Sequence, residues 1–220
     1  GLFESQGEID RSPIQFSEGN HSRLRPGDIK YRDLNGDGVI DDYDKMPVGF
    51  CDIPEITYGF GGAIEWKGFD VSIFFQGTAR VSIFEEGSAV VPFSSGYKNN
   101  NGFLKGVMED RWTVDNPNPN ARYPRTIRPS DALDNNNTKK SSFWVRNAAY
   151  LRLKNAEIGY TFPKRWMEKM AIQNLRLYVS GVNLLTWAPD VHLFDPELGS
   201  GDGRKYPPTR VFNVGLNINF

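Results

Sequence analysis

Between residues 33 and 44 the chain reads DLNGDGVIDDYD, a run crowded with oxygen donors. Asp33, Asn35 and Asp37 occupy positions 1, 3 and 5 of a twelve-residue frame, and Gly38 follows where the chain must turn sharply. The Val39 carbonyl takes position 7, Asp41 position 9 and Asp44 position 12. This is the donor order of a calcium loop, which gathers oxygens at about 2.3–2.6 Å around one ion. Acceptors of one sign packed this densely repel one another unless a cation offsets them. The aspartate at position 12 is one methylene shorter than the usual glutamate, which points to weaker binding. Pro26, Gly27 and Pro47 interrupt the flanks, so no pair of EF-hand helices is expected. The reading is a structural Ca2+ held by Asp33, Asn35, Asp37, Val39, Asp41 and Asp44, pinning a loop. The plainer alternative is an Asx-rich turn that binds nothing.

Other chemistry is sparse. Glu85 with Glu86, and Asp195 with Glu197, are the tempting carboxylate pairs for glycoside hydrolysis. Neighbouring loop carboxylates are usually solvated, so no enzyme is expected. His21 and His192 lie far apart, and Cys51 is the single cysteine, which argues against a zinc enzyme and an internal disulfide. A net charge of -1 gives no support to a nucleic-acid partner. Tyr97, Phe103, Trp112, Tyr123, Phe143, Trp144 and Trp187 are candidates for stacking on sugar rings, although packing between loops is the commoner role. Arg122, Arg125 and Arg128 suit either an anionic substrate or nearby loop carboxylates. No substrate-binding residue is assigned.

The elements that position these groups announce themselves by alternation. In residues 210–220, Phe212, Val214, Leu216, Ile218 and Phe220 fall on every second position, with Asn213, Gly215, Asn217 and Asn219 between them. Residues 56–66 and 69–77 alternate likewise around Lys67-Gly68. Phe69, Val71, Ile73 and Phe75 share one face, with Asp70, Ser72 and Gln76 on the other. In residues 149–162, Leu151 and Leu153 are out of phase with Ala156, Ile158 and Tyr160, and a bulge near Lys154-Asn155 would reconcile them. Residues 174–185 form a further strand. The segments joining them alternate short and long: 67–68, 78–148, 163–173 and 186–209. The mean hydropathy of -0.51 does not oppose a membrane, because a barrel carries only alternating apolar residues. No stretch is long and apolar enough for a transmembrane helix.

The fold expected is all-β: the C-terminal antiparallel strands of a large transmembrane β-barrel with long extracellular loops. Residues 1–55 are read as an extracellular loop region, the loops at 78–148 and 186–209 as irregular except for a short helix near residues 107–113. The opening residues carry no signal peptide, and the expectation is a piece of a longer protein. A soluble antiparallel sandwich is the alternative, and it accounts for neither the loop lengths nor the outward aromatics.

The stretches PGDIKYRDLNGDGVIDDYD, YLRLKNAEIGYTFPK, NLRLYVSGVNLLTW, FDPE, YPPTR and VFNVGLNINF together resemble the C-terminal part of a SusC/RagA-type TonB-linked outer-membrane transporter. The resemblance runs from about residue 25 to residue 220. It implies a barrel with a plugged lumen that imports oligosaccharides, or in some members peptides. It also implies a SusD-like surface lipoprotein as partner, TonB engaged through an upstream part, outer-membrane lipid around the strands and a periplasmic C-terminus. Phe220 would then contribute to the signal read during barrel assembly. A soluble secreted calcium-stabilised glycan-binding β module is the alternative function.

Overall fold

Val71 and Ile73 point to one side of their strand and Asp70 and Ser72 to the other, and that division extends across five strands. The computed structural model describes residues 1–15, 23–87, 90, 104–126, 136–167, 171–201 and 203–220. The strands are β1 (Ile56–Trp66), β2 (Phe69–Ala79), β3 (Ser82–Phe84), β4 (Val145–Asn147), β5 (Tyr150–Thr161), β6 (Asn174–Trp187) and β7 (Val211–Asn219). The large sheet has the order β1-β2-β5-β6-β7, with every pairing antiparallel. The strands follow one another in chain order except that β3 and β4, which form a separate two-stranded sheet, lie in the long connection between β2 and β5.

Register aligns the two faces across the whole sheet. Ile64, Val71, Ile158 and Val179 are successive cross-strand partners on the apolar face, and Val214 completes the row. Ser72, Glu157, Ser180 and Asn213 form the corresponding row on the polar face. The register shifts at Phe74/Phe75 and again between Leu153 and Asn155. The bulge at Lys154 puts Leu151 and Leu153 on the same side as Ala156 and Ile158, despite their opposite parity in sequence.

The apolar face is bare. Ile64, Phe212 and Val214 are 69%, 69% and 75% exposed, and every residue of β1 is exposed. An apolar surface this continuous marks contact with lipid or a partner. Among the described strands β1 and β7 have one neighbour each, so each presents a second hydrogen-bonding edge. No described helix is long and apolar enough to cross a membrane; any crossing belongs to strands.

The chain divides into two compact units, and the sheet lies in the one formed by Cys51–Ser82, Asn147–Leu198 and Lys205–Phe220. The other unit combines Gly1–Phe50, Ile83–Arg146 and Gly199–Arg204. Its opening residues, patternless in sequence, hold helix α1 (Gln6–Arg11), which begins where the Ser5 hydroxyl accepts the Glu8 amide at 3.3 Å. Ile9 on α1 is buried with Phe3 and Leu24. The long irregular stretch also contains α2 (Lys105–Glu109), slightly earlier than the helix expected at 107–113. Buried polar groups staple these loops together. The Asp28 carboxylate accepts from the Arg25 amide at 2.8 Å and Asn137 Nδ2 at 2.8 Å, and pairs with Arg125 Nε at 2.7 Å. Asn137 Oδ1 accepts the Ile29 amide at 2.8 Å. Such a network holds irregular backbone because each buried polar group is expensive to leave unmet.

Candidate functional site

The loop at 33–44 is held by its own amides. Gly36 and Gly38 have φ of 81° and 85°, a left-handed conformation that side chains with a Cβ rarely adopt. This turns their N–H groups onto Asp33, whose carboxylate accepts them at 2.6 and 2.9 Å. Asn35 Oδ1 accepts the Asp37 amide at 2.9 Å, and Asp37 Oδ1 accepts the Val39 amide at 2.9 Å. Asp41 Oδ1 accepts the Tyr43 amide at 2.8 Å. Asp44 closes the loop, taking the Leu34 amide at 2.7 Å and the Asp41 amide at 2.9 Å. Those two amides hold the Asp44 carboxyl below its ordinary range, since N–H donors favour the charged carboxylate over its protonated form. The Ile14 amide to the Gly38 carbonyl (2.9 Å) and the Ile40 amide to the Ile14 carbonyl (2.7 Å) tie the loop to residues 13–15. The six predicted residues thus share one loop. Among the described residues, no group of three or more His, Cys, Asp or Glu side chains is placed to hold a metal ion.

On the polar face of the sheet two arginines organise the acidic residues. Arg176 on β6 donates to Asp70 on β2 (3.0 Å from Nε, with a second bond from Nη2) and to Glu157 on β5 at 2.6 Å. It also lies 4.9 Å from the centre of the Tyr178 ring. Nearer the other strand ends, Arg152 on β5 is 1% exposed. Its Nη2 reaches both oxygens of Asp195 at 2.7 and 2.6 Å, Nη1 donates to Glu197 at 2.9 Å and Nε to the Thr186 hydroxyl at 2.9 Å. Glu197 also accepts from the Tyr150 hydroxyl. Because Arg152 pairs in register with Gln76 and Thr186, the segment carrying Asp195 and Glu197 is folded onto the polar face. Nothing local in the sequence marks the Arg152 and Arg176 clusters, since only register makes Asp70, Glu157 and Arg176 neighbours.

Several expectations resolve here. Asp195 and Glu197 are the counter-ions of a buried arginine. Glu85 pairs with Arg146 at 2.8 Å and Arg122 at 3.6 Å, its side chain fully buried. Arg122 and Arg125 therefore serve loop carboxylates. Trp112, Tyr123 and Trp144 are buried, with Tyr123 and Trp144 rings 6.4 Å apart; they pack the loops and are closed to sugar. Phe143 packs edge-on against Trp144 at 5.3 Å, and Trp187, half exposed, lies 6.4 Å from Phe75 on the apolar face. Tyr97, Phe103, Arg128 and His21 lie outside the described residues.

Polar side chains on one face, apolar on the other and antiparallel pairing throughout make a segment of barrel wall with a wet interior. No family model matches the chain. Over all of its length it is 31% identical, across 234 aligned residues, to TonB-dependent receptor P26 of Formosa agariphila. TonB-dependent receptor SusC of Bacteroides thetaiotaomicron is 24% identical over 89% of the chain. The chain spans 22% and 18% of those two proteins, about a fifth of the length of the relatives it matches. Among solved structures, the RagAB peptide importer in its closed-closed state superposes with a TM-score of 0.64 at 21% identity, covering 86% of this chain and 20% of that one. The RagAB peptide transporter gives 0.55 at 24% identity, covering 78% and 18%. With the wall's two-faced register, these likenesses mark the chain as similar over its whole length to part of a TonB-dependent receptor, with the fold of a β-barrel segment.

Proposed function

We propose that the chain forms part of the wall of an outer-membrane importer, driven through TonB, that takes up oligosaccharides or peptides with a SusD-like lipoprotein at its mouth. The observation that carries this is the continuous division of five strands into a bare apolar face and an ion-paired polar face, in a chain similar over its whole length to TonB-dependent receptors. Apolar side chains meet lipid, Arg176 and its carboxylates line the aqueous passage, and buried Arg152 holds the segment of Asp195 and Glu197 against the same face. The long connections face outward and the turn at Lys67-Gly68 faces the periplasm. The test is uptake by cells carrying or lacking the full-length receptor, offered labelled oligosaccharides and labelled peptides with and without a protonophore. Loss of protonophore-sensitive uptake on deletion supports the reading; unchanged uptake of every cargo removes it.

Calcium at residues 33–44 belongs to the same proposal. Asp33, Asn35, Asp37, Asp41, Asp44 and the Val39 carbonyl supply hard oxygens in the order such an ion takes. A carboxylate has room for about four acceptor contacts, so each retains capacity beyond the amides it already meets. Hydrogen exchange of the loop in the full-length receptor, with calcium and then with chelator, tests it. Slower exchange with calcium, abolished in Asp37→Ala, is expected; identical exchange in both conditions counts against an ion.

A further inference from the structure

At the Lys67-Gly68 end of the wall, aromatic rings run in a chain. Phe69 and Tyr160 centroids are 4.6 Å apart, Tyr160 and Phe162 5.1 Å, and Phe162 and Trp166 6.1 Å. Trp66 and Trp166 are both largely exposed. The two short connections adjoin, because the Thr161 amide donates to the Gly68 carbonyl at 2.7 Å. That brings Lys67 beside the segment holding Lys164 and Arg165, at the start of α3 (Lys164–Met167). All three cations are exposed, and among the described residues none forms an ion pair, while Lys30, Lys45, Arg80, Lys105 and Lys140 each meet a carboxylate. Lys67 instead lies 4.7 Å over the Trp66 ring. Glu65 and Asp70, the acids that flank the Lys67-Gly68 turn, pair with each other in register on the polar face.

We propose that Lys67, Lys164 and Arg165 bind the phosphate headgroup of an anionic phospholipid in the leaflet that the short turns contact. This rests on the barrel reading above. Amphipathic rings settle at headgroup depth, and unpaired cations at that depth meet a phosphodiester whose charge they complement. The belt is continuous with the apolar face, so acyl chains below the headgroup have Phe69 and Val71 to lie against.

The experiment is native mass spectrometry of the full-length receptor, titrated with phosphatidylglycerol, phosphatidylcholine or lipopolysaccharide. Retention of the compact, heat-modifiable form on gels reports folding separately; a receptor that never shows it defeats the barrel reading instead. A selective phosphatidylglycerol adduct is expected, weakened about fivefold for each cation removed in Lys67→Gln, Lys164→Gln and Arg165→Gln. Phosphatidylcholine binding should not change. Lys67→Arg with Lys164→Arg keeps the charges and should retain selectivity, even if the glutamine variants fold poorly. Equal binding of the two phospholipids, preference for lipopolysaccharide, or a folded triple glutamine variant that binds phosphatidylglycerol as the parent does would overturn the site.

Discussion

Glu85 shows what a single buried charge demands. Its side chain is fully enclosed and depends on Arg146 at 2.8 Å, with Arg122 farther off at 3.6 Å. Removing Arg146 leaves that carboxylate poorly compensated, a loss on the order of 3–5 kcal/mol for a buried pair. Arg146→Ala should therefore speed hydrogen exchange at residues 83–86 and 144–146 in the full-length receptor, while Arg146→Lys should speed it less. Two tyrosines of the same unit carry a pH signature. Burial pushes the Tyr31 and Tyr123 phenols up, helped at Tyr123 by Glu85 and at Tyr31 by Asp28. A raised folded value means the contribution to stability is full below the ordinary tyrosine range of about 10 and is lost as pH rises through the folded values. Spectrophotometric titration should find one late-ionising tyrosine fewer in Tyr31→Phe; ionisation of Tyr31 with the exposed tyrosines would contradict the burial argument.

At the scale of an element, β2 is governed by alternation and by its partners. Val71 and Ile73 lie between Ile64 or Gly62 on β1 and Ile158 or Ala156 on β5, all facing the apolar side. Arginine at either position places a charge in hydrocarbon at a cost of about 2–4 kcal/mol near the midplane. Val71→Arg should lower the yield of heat-modifiable receptor and its resistance to urea, whereas Ser72→Arg, toward the wet face, should do much less. Equal damage from both would mean the faces are reversed. The opposite face has its own steric rule: a Cβ on Gly215 would come within 2.2 Å of the Tyr178 ring, so the phenol that covers Arg176 requires glycine across the strand.

For the whole molecule, the open edges of β1 and β7 are the governing fact. Each presents a row of amides and carbonyls, and in a bilayer such groups must be paired within protein. In the folded full-length receptor the outward amides of Ile56–Trp66 should therefore be as protected from exchange as those of β5. Fast exchange there would refute closure. The 220-residue chain produced alone, with two free edges beside a bare apolar face, should aggregate in detergent-free buffer; a monodisperse monomer with a cooperative melt would argue for a soluble module.

Period-two hydrophobicity determined the strand faces from residues alone: Phe212 through Ile218 and Phe69 through Phe75 can satisfy only one side of a sheet. The bulge at Lys154 was legible for the same reason, since two apolar phases in one strand need an extra residue between them. The donor spacing of residues 33–44 was equally local. Tertiary structure alone decided which residues meet across distance. Trp112, Tyr123 and Trp144 sit in stretches without period, so nothing nearby marks them as buried. Asp195 and Glu197 look like a reactive pair until Arg152, more than forty residues earlier, closes on both. Asp70, Glu157 and Arg176 become one cluster only through the register of three strands, and register is set by the whole ladder of pairings.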